Sequence, residues 1–205
     1  MQASGWLIAA LIACLPITAI AAEGIPAEGK AKAEAAGCNA CHGPDGVANQ
    51  DGLAIDKNMP NLAGEPDLYL QFQLVYFRKG VRKNDYMNPV AESLSDVDIR
   101  NLGAYFASLP APGGSPPPDS APEDTSLGAK VAQGLHCANC HGDHFEGQEN
   151  MGRLAGQRED YLYKALRDFK GGARVATGAA SMAEVVYPLG DLEMKALAHY
   201  MSRLH

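Results

Sequence analysis

The chain has 205 residues, 46% apolar and 20% charged, a balance that excludes a disordered or collagen-like polypeptide and fits one or two globular domains. Seventeen Lys and Arg against 24 Asp and Glu leave a net charge of −7, which argues against a nucleic-acid partner, since that would need a basic face. A single Trp among 7% aromatics limits how much core two small domains can build from their own side chains.

Residues 6–22, WLIAALIACLPITAIAA, form an uncharged apolar run closed by Ala19-Ile20-Ala21, which predicts a secretory signal over residues 1–21. A retained membrane anchor is the competing reading, against which stand Pro16 and a length short of a comfortable span. Leu11-Ile12-Ala13-Cys14 also resembles a lipobox, but the apolar run continues past Cys14 as an ordinary signal core does. Export sets an oxidising compartment, in which paired cysteines are first read as disulfides.

The four remaining cysteines fall in two identical patterns, Cys38-Asn39-Ala40-Cys41-His42 and Cys137-Ala138-Asn139-Cys140-His141. C-x-x-C-H is the attachment signature of a c-type haem: two sulfurs add to the porphyrin vinyl groups and the adjoining histidine reaches the iron. Two residues between the cysteines let one helical turn present both sulfurs along one porphyrin edge, with the histidine under the ring. Zinc would need the four cysteines in one cluster, yet the pairs lie 96 residues apart and each carries its own histidine. A thioredoxin-like redox pair needs a βαβ context, and no strand pattern appears; C-x-x-C disulfides would be strained and leave both histidines unexplained.

The motifs mark a tandem repeat. Leu62-Ala63-Gly64-Glu65, Tyr69-Leu70, Phe77 and Arg82 match Leu154-Ala155-Gly156-Gln157, Tyr161-Leu162, Phe169 and Arg174 at an offset of 92. Met87, Leu94, Asp96, Leu102, Tyr105 and Leu109 match Met182, Leu189, Asp191, Leu197, Tyr200 and Leu204 at an offset of 95. Each copy reads as helical: Leu70, Leu74 and Phe77 share one face, and Ser95 with Asp98 forms a capping-box-like start to a helix whose buried face is Ile99, Leu102, Tyr105 or Phe106, and Leu109. Residues 111–126, with five prolines and no periodicity, read as a semi-extended linker between domains at 22–110 and 127–205. The expected fold class is all-α, each domain wrapped around a covalently attached haem that supplies the core its aromatics do not.

The second iron ligand decides the chemistry, because Met or His in the sixth position gives an electron carrier and an open site gives ligand binding or catalysis. Met59 and Met87 are candidates in the first copy, Met151 and Met182 in the second. Met59 precedes Pro60-Asn61-Leu62-Ala63-Gly64, which resembles the P-x-L-x-G turn of class I cytochromes c, where a backbone carbonyl accepts a hydrogen bond from the haem histidine. That places Met59 on the histidine side. Met87 and Met182 lie on the stretch before the last helix, read as a loop that returns over the opposite face, and are assigned as ligands. Gly152 stands where the first copy has Pro60, and a glycine carbonyl can accept the same bond. His136 and His144 are read as solvated and His205 as the terminus, while His199 stands at the repeat position of Ala104, which speaks against a role shared by the two copies.

The two C-x-x-C-H motifs, the Pro-Asn-Leu-Ala-Gly and Arg-Leu-Ala-Gly turns followed by Tyr-Leu, and a Met seven residues before Leu-Ser-Asp or Leu-Gly-Asp resemble the dihaem cytochrome c-four family over residues 22–205. The resemblance implies paired class I cytochrome folds about a pseudo-twofold axis. It also implies His/Met ligation by His42, Met87, His141 and Met182, a place in the bacterial periplasm or at the inner membrane's periplasmic face, and electron delivery towards terminal oxidases. Departures are the shorter second haem loop and Gly190 in place of Ser95. The expected function is a two-centre electron carrier between respiratory donors and a terminal oxidase or other acceptor, with peripheral membrane association and no catalytic residues of its own. A dihaem cytochrome subunit of a dehydrogenase, such as a sulfide-oxidising flavocytochrome, is the alternative. A dihaem peroxidase would need a distal acid–base group that neither methionine segment offers, and a gas sensor would need an open iron.

Overall fold

The computed structural model describes residues 23–48, 58–113, 116, 118–174 and 180–205. The leader expected over residues 1–21 lies outside them. Every regular element among the described residues is a helix: α1 (Pro26–Ala35), α2 (Asn39–His42), α3 (Asp67–Arg78), α4 (Met87–Glu92) and α5 (Asp96–Ser108) in the first copy, then α6 (Pro122–Gly134), α7 (Ala138–His141), α8 (Glu159–Lys170), α9 (Ala180–Val186) and α10 (Asp191–Ser202) in the second. The same five-helix order twice over is the architecture that the repeat implied. No helix among the described residues is long and apolar enough to cross a membrane.

Local chemistry explains the helix starts. Pro26 and Pro122 open α1 and α6, where a missing N–H is no loss. At α5 the full capping box forms: the Asp98 N–H donates to Ser95 Oγ at 3.1 Å and the Ser95 N–H to Asp98 Oδ2 at 2.9 Å. At α10 only half survives, the Gly190 N–H donating to Glu193 Oε2 at 2.7 Å, because glycine has no hydroxyl to return the bond.

Two expectations need correction. The linker expected over 111–126 ends early, since α6 begins at Pro122 with Glu123 and Asp124 in its first turn, where carboxylates favour a helix N-terminus. Met87 and Met182 sit in the short helices α4 and α9 rather than on loops. For α4 the cause is Asn84, whose Oδ1 accepts from the Met87 N–H at 2.8 Å and the Tyr86 N–H at 3.1 Å and so starts a turn that periodicity could not reveal.

In each copy the N-terminal helix crosses the C-terminal one, α1 over α5 and α6 over α10, and α3 or α8 packs on the same long helix. The crossings are glycine contacts: a Cβ on Gly29 would stand 1.9 Å from Asn101 O, and one on Gly128 2.2 Å from Ala196 O. Two separate cores result. Ala33, Leu70, Leu94, Ile99, Leu102, Tyr105 and Phe106 form one; Ala132, Leu162, Phe169, Val186, Leu189, Met194, Leu197, Ala198 and Met201 form the other. They include most of the faces read from the sequence.

The copies meet about a pseudo-twofold axis, visible in which residues pair. Arg82 and Arg174, equivalent in the repeat, face one another in an antiparallel bridge. The Arg82 guanidinium donates to Tyr161 OH at 3.1 Å, and in the mirrored contact Arg174 donates to Tyr69 OH at 3.0 Å. Asn61 pairs with Gln157, and their repeat mates Arg153 and Glu65 pair likewise. A contact and its mate appearing together is what a self-complementary interface requires.

Candidate functional site

Each C-x-x-C-H motif closes into one helical turn. The His42 N–H donates to Cys38 O at 2.9 Å and the His141 N–H to Cys137 O at 3.0 Å, and Gly43 and Gly142 end the turns at φ 80° and 87°, a region that suits glycine. The turn puts thiols and imidazole on one wall: Cys38, Cys41 and His42 line a cavity of about 190 Å³, and Cys137, Cys140 and His141 line one of about 200 Å³. Two cavities of nearly equal size fit two copies of one bulky occupant. The motif cysteines are not paired as disulfides, and among the described residues no group of three or more His, Cys, Asp or Glu is placed to hold a metal ion, so the two pairs do not combine into a zinc site.

Both histidines are buried and tied down at Nδ1, to Pro60 O at 3.0 Å and to Gly152 O at 2.7 Å. A carbonyl only accepts, so Nδ1 carries the proton and Nε2 keeps its lone pair. Burial holds both imidazoles below the ordinary histidine value, against the opposing pull of the carbonyl bond, and so favours the neutral form that can ligate a metal. The turn resemblance anticipated both bonds. Gly152 has a further reason to be glycine, because a Cβ there would meet the Tyr69 ring of the first copy at 2.8 Å.

Met87 and Met59 line the first cavity, Met182 and Met151 the second. Met59, outside any helix, directly precedes the carbonyl that holds His42, whereas Met87 is carried by α4. Around Met87 the backbone is fixed by Asn88, whose Nδ2 donates to Phe77 O at 2.6 Å and Arg82 O at 2.9 Å and thereby ties α4 to the end of α3.

The cavities share a wall. Glu65, Tyr69, Gln73, Tyr161 and Ala165 line both, so the occupants are neighbours across the seam. Arg82 lines the first cavity and Arg174 the second, each guanidinium 4.5 Å above a phenylalanine ring, Phe77 or Phe169. Gln73 Oε1 accepts from Arg82 at 2.6 Å and Arg174 at 2.9 Å. Among the described residues neither arginine has a carboxylate within ion-pair distance, although Arg174 is 7% exposed. A buried cation without a carboxylate is costly unless an anionic group completes the site. Haem propionates are such groups, so thiols, imidazole, methionine and arginines make a donor set that fits haem c.

The chain's relatives agree with this geometry. The cytochrome c family model matches twice, over residues 26–110 and 125–205. Cytochrome c4 of Pseudomonas aeruginosa is 34% identical over 97% of this chain and 98% of its own length. The chain belongs to the dihaem cytochrome c4 family. The crystal structure of reduced recombinant cytochrome c4 from Pseudomonas stutzeri superposes with a TM-score of 0.76 at 29% identity, covering 89% of this chain and all of that one. A thiosulfate dehydrogenase electron acceptor from Thiomonas intermedia is 32% identical, over 82% of this chain and 79% of its own length. As a member of this family, the protein carries two covalently bound haem c groups and transfers electrons.

Sequence reasoning aligned Glu65 with Gln157 and Arg82 with Arg174 without giving them work. The available signal was polar residues recurring at the repeat offset beside apolar helix faces. His199 has Ala104 as its repeat mate, and its work is confined to the second copy. It is 7% exposed, with Nδ1 3.0 Å from Glu159 Oε2 and Nε2 3.0 Å from Asp119 Oδ1, so it holds the linker against α8 and α10. Burial opposes its charge, but the two carboxylates outweigh that and raise it above the ordinary value. This contribution to stability is therefore present below histidine's ordinary value and is lost as pH rises through the raised one.

Proposed function

We propose that the protein is a periplasmic two-centre electron carrier, with residues 1–21 as its export signal and domains at 22–110 and 122–205. Cys38 and Cys41 hold one haem and Cys137 and Cys140 the other. His42 with Met87, and His141 with Met182, complete the two irons. The haems supply the redox step, each iron cycling between ferric and ferrous. The residues of the chain hold them side by side: the wall common to both cavities carries this reading, because an electron entering at one domain has a neighbour to pass to across Tyr69, Gln73 and Tyr161. Arg82 and Arg174 neutralise propionate charge at that wall, and Asn88 fixes the helix that brings Met87 to its iron.

Respiratory donors reduce the protein and a terminal oxidase or another acceptor oxidises it, with association at the inner-membrane surface. A second reading, electron acceptor to a dehydrogenase chain, is favoured by the relative named for thiosulfate dehydrogenase. Co-purification of a dehydrogenase partner discriminates the two.

The charge of −7 divides as −4 on residues 23–110, −3 on residues 111–126 and zero on 127–205. The first domain and the stretch that follows it therefore dock on basic partner surfaces by electrostatic steering, screened over about 10 Å at 0.1 M salt. The bimolecular electron-transfer rate with a basic redox partner falls as ionic strength rises, measured by stopped-flow absorbance. A rate indifferent to salt contradicts this docking face.

A further inference from the structure

Glu65 sits at the centre of the seam, 4% exposed, and is the one carboxylate among the residues that line both cavities. Its Oε2 accepts from the Arg153 N–H at 2.8 Å and its Oε1 from Gln157 Nε2 at 3.1 Å. The charged and titratable groups facing it are Arg153 and Arg174 from the second copy and the Tyr69 and Tyr161 hydroxyls, on which Arg82 from its own copy also acts.

Holding the domains together does not require a carboxylate here. At the mated position Gln157 clamps the Asn61 backbone with both ends of its amide, Nε2 donating to Asn61 O at 2.9 Å and Oε1 accepting from the Asn61 N–H at 2.8 Å. A glutamine at 65 has the same two ends to offer the backbone of Arg153. What the acid adds is a charge that can be lost.

We propose that Glu65 is a redox-linked proton-binding site: its carboxylate takes a proton from solvent when an electron enters the haem of either cavity, and releases it on oxidation. The electron comes from the one-electron donor of the carrier cycle and converts ferric iron to ferrous; the proton converts Glu65 carboxylate to the acid, so the seam's net charge is unchanged.

Burial raises the Glu65 carboxyl, the Arg153 and Gln157 hydrogen bonds and the charges of Arg153 and Arg174 lower it, and the balance stands at about 7. A group so poised responds to a change of one unit of charge in an adjoining low-dielectric cavity. Loss of one positive charge on reduction strengthens proton binding. By linkage, proton binding then favours reduction, so the reduction potentials fall as pH rises through the Glu65 transition.

The test compares holoprotein with Glu65→Gln, chosen because the chain already uses glutamine at the mated position. Spectroelectrochemical titration of the wild type gives potentials for both haems that fall as pH rises across neutrality, and Glu65→Gln gives potentials flat over the same range. An unchanged slope in Glu65→Gln overturns the proposal. A second readout is the reduced-minus-oxidised infrared difference spectrum, in which the wild type shows a carboxylic-acid carbonyl band that is missing from Glu65→Gln, whereas a haem-propionate band would persist in the variant. The same spectrum of wild-type protein labelled with ¹³C-carboxyl glutamate shifts that band. No label-sensitive band overturns the proposal equally. The inference rests on the two-haem reading, whose failure shows separately as a missing haem or a missing methionine–iron band.

Discussion

Replacing Cys137 and Cys140 together by Ser gives a chain with one haem and an unfolded second domain. Val186, Leu189, Leu197 and Met201 belong to the second core and also line the second cavity, so that core and the haem site are one structure. An unfilled cavity costs roughly 24 cal/mol per Å³. A void of about 200 Å³ therefore costs about 5 kcal/mol, enough to reach the lower end of the roughly 5–15 kcal/mol that holds a typical domain together. Covalently bound haem per chain falls by half, and far-ultraviolet circular dichroism loses the contribution of α6 to α10. The first domain keeps its haem, because its core is separate. A second domain that stays helical and unfolds cooperatively without haem contradicts the view that haem completes its core.

Gly29→Val and Gly128→Val have the next largest effects, and neither site lies in a haem motif. A Cβ at 29 would meet Asn101 O at 1.9 Å and Tyr105 Cβ at 2.6 Å; at 128 it would meet Ala196 O at 2.2 Å and Tyr200 Cβ at 2.6 Å. The obstacles are mainly helix backbone, which cannot swing aside as a side chain can, so α1 or α6 must lift from its partner. Overpacking of this kind costs about 3 kcal/mol, a fall in the affected domain's melting temperature of roughly 12–24 °C. Gly134→Ala is the control. It lies at the end of α6 with nothing within 4 Å of a Cβ, and its melting temperature stays level or rises slightly. Equal losses in all three variants would show that the crossings are not what the glycines serve.

Features set by covalent chemistry or by strong periodicity were legible in the sequence. Two C-x-x-C-H motifs could be read because porphyrin attachment dictates their spacing, and α3, α5, α8 and α10 because each buries a face at helical intervals. The carbonyl partner of each histidine was legible through the turn. Features that depend on a second segment were not. Gly29 and Gly128 repeat at the offset of the cysteines, but a glycine shows no sign of what will cross it. The seam needs two copies in a particular pose before Arg82 meets Tyr161 or Glu65 meets Arg153. Asn84 and Asn88 turned an expected loop into α4 through side-chain bonds that hydrophobic periodicity does not register. His199 acquires its role from Asp119, 80 residues earlier in the chain, which no repeat comparison would pair with it.

The central claim is that two haems, each closed by a methionine, sit in these two cavities. The near-infrared charge-transfer band from methionine sulfur to ferric haem tests it most directly. Met87→Ala and Met182→Ala each lose half of the band in the oxidised protein, and the double variant loses all of it. A band left at full strength by either single substitution contradicts the assignment of that methionine.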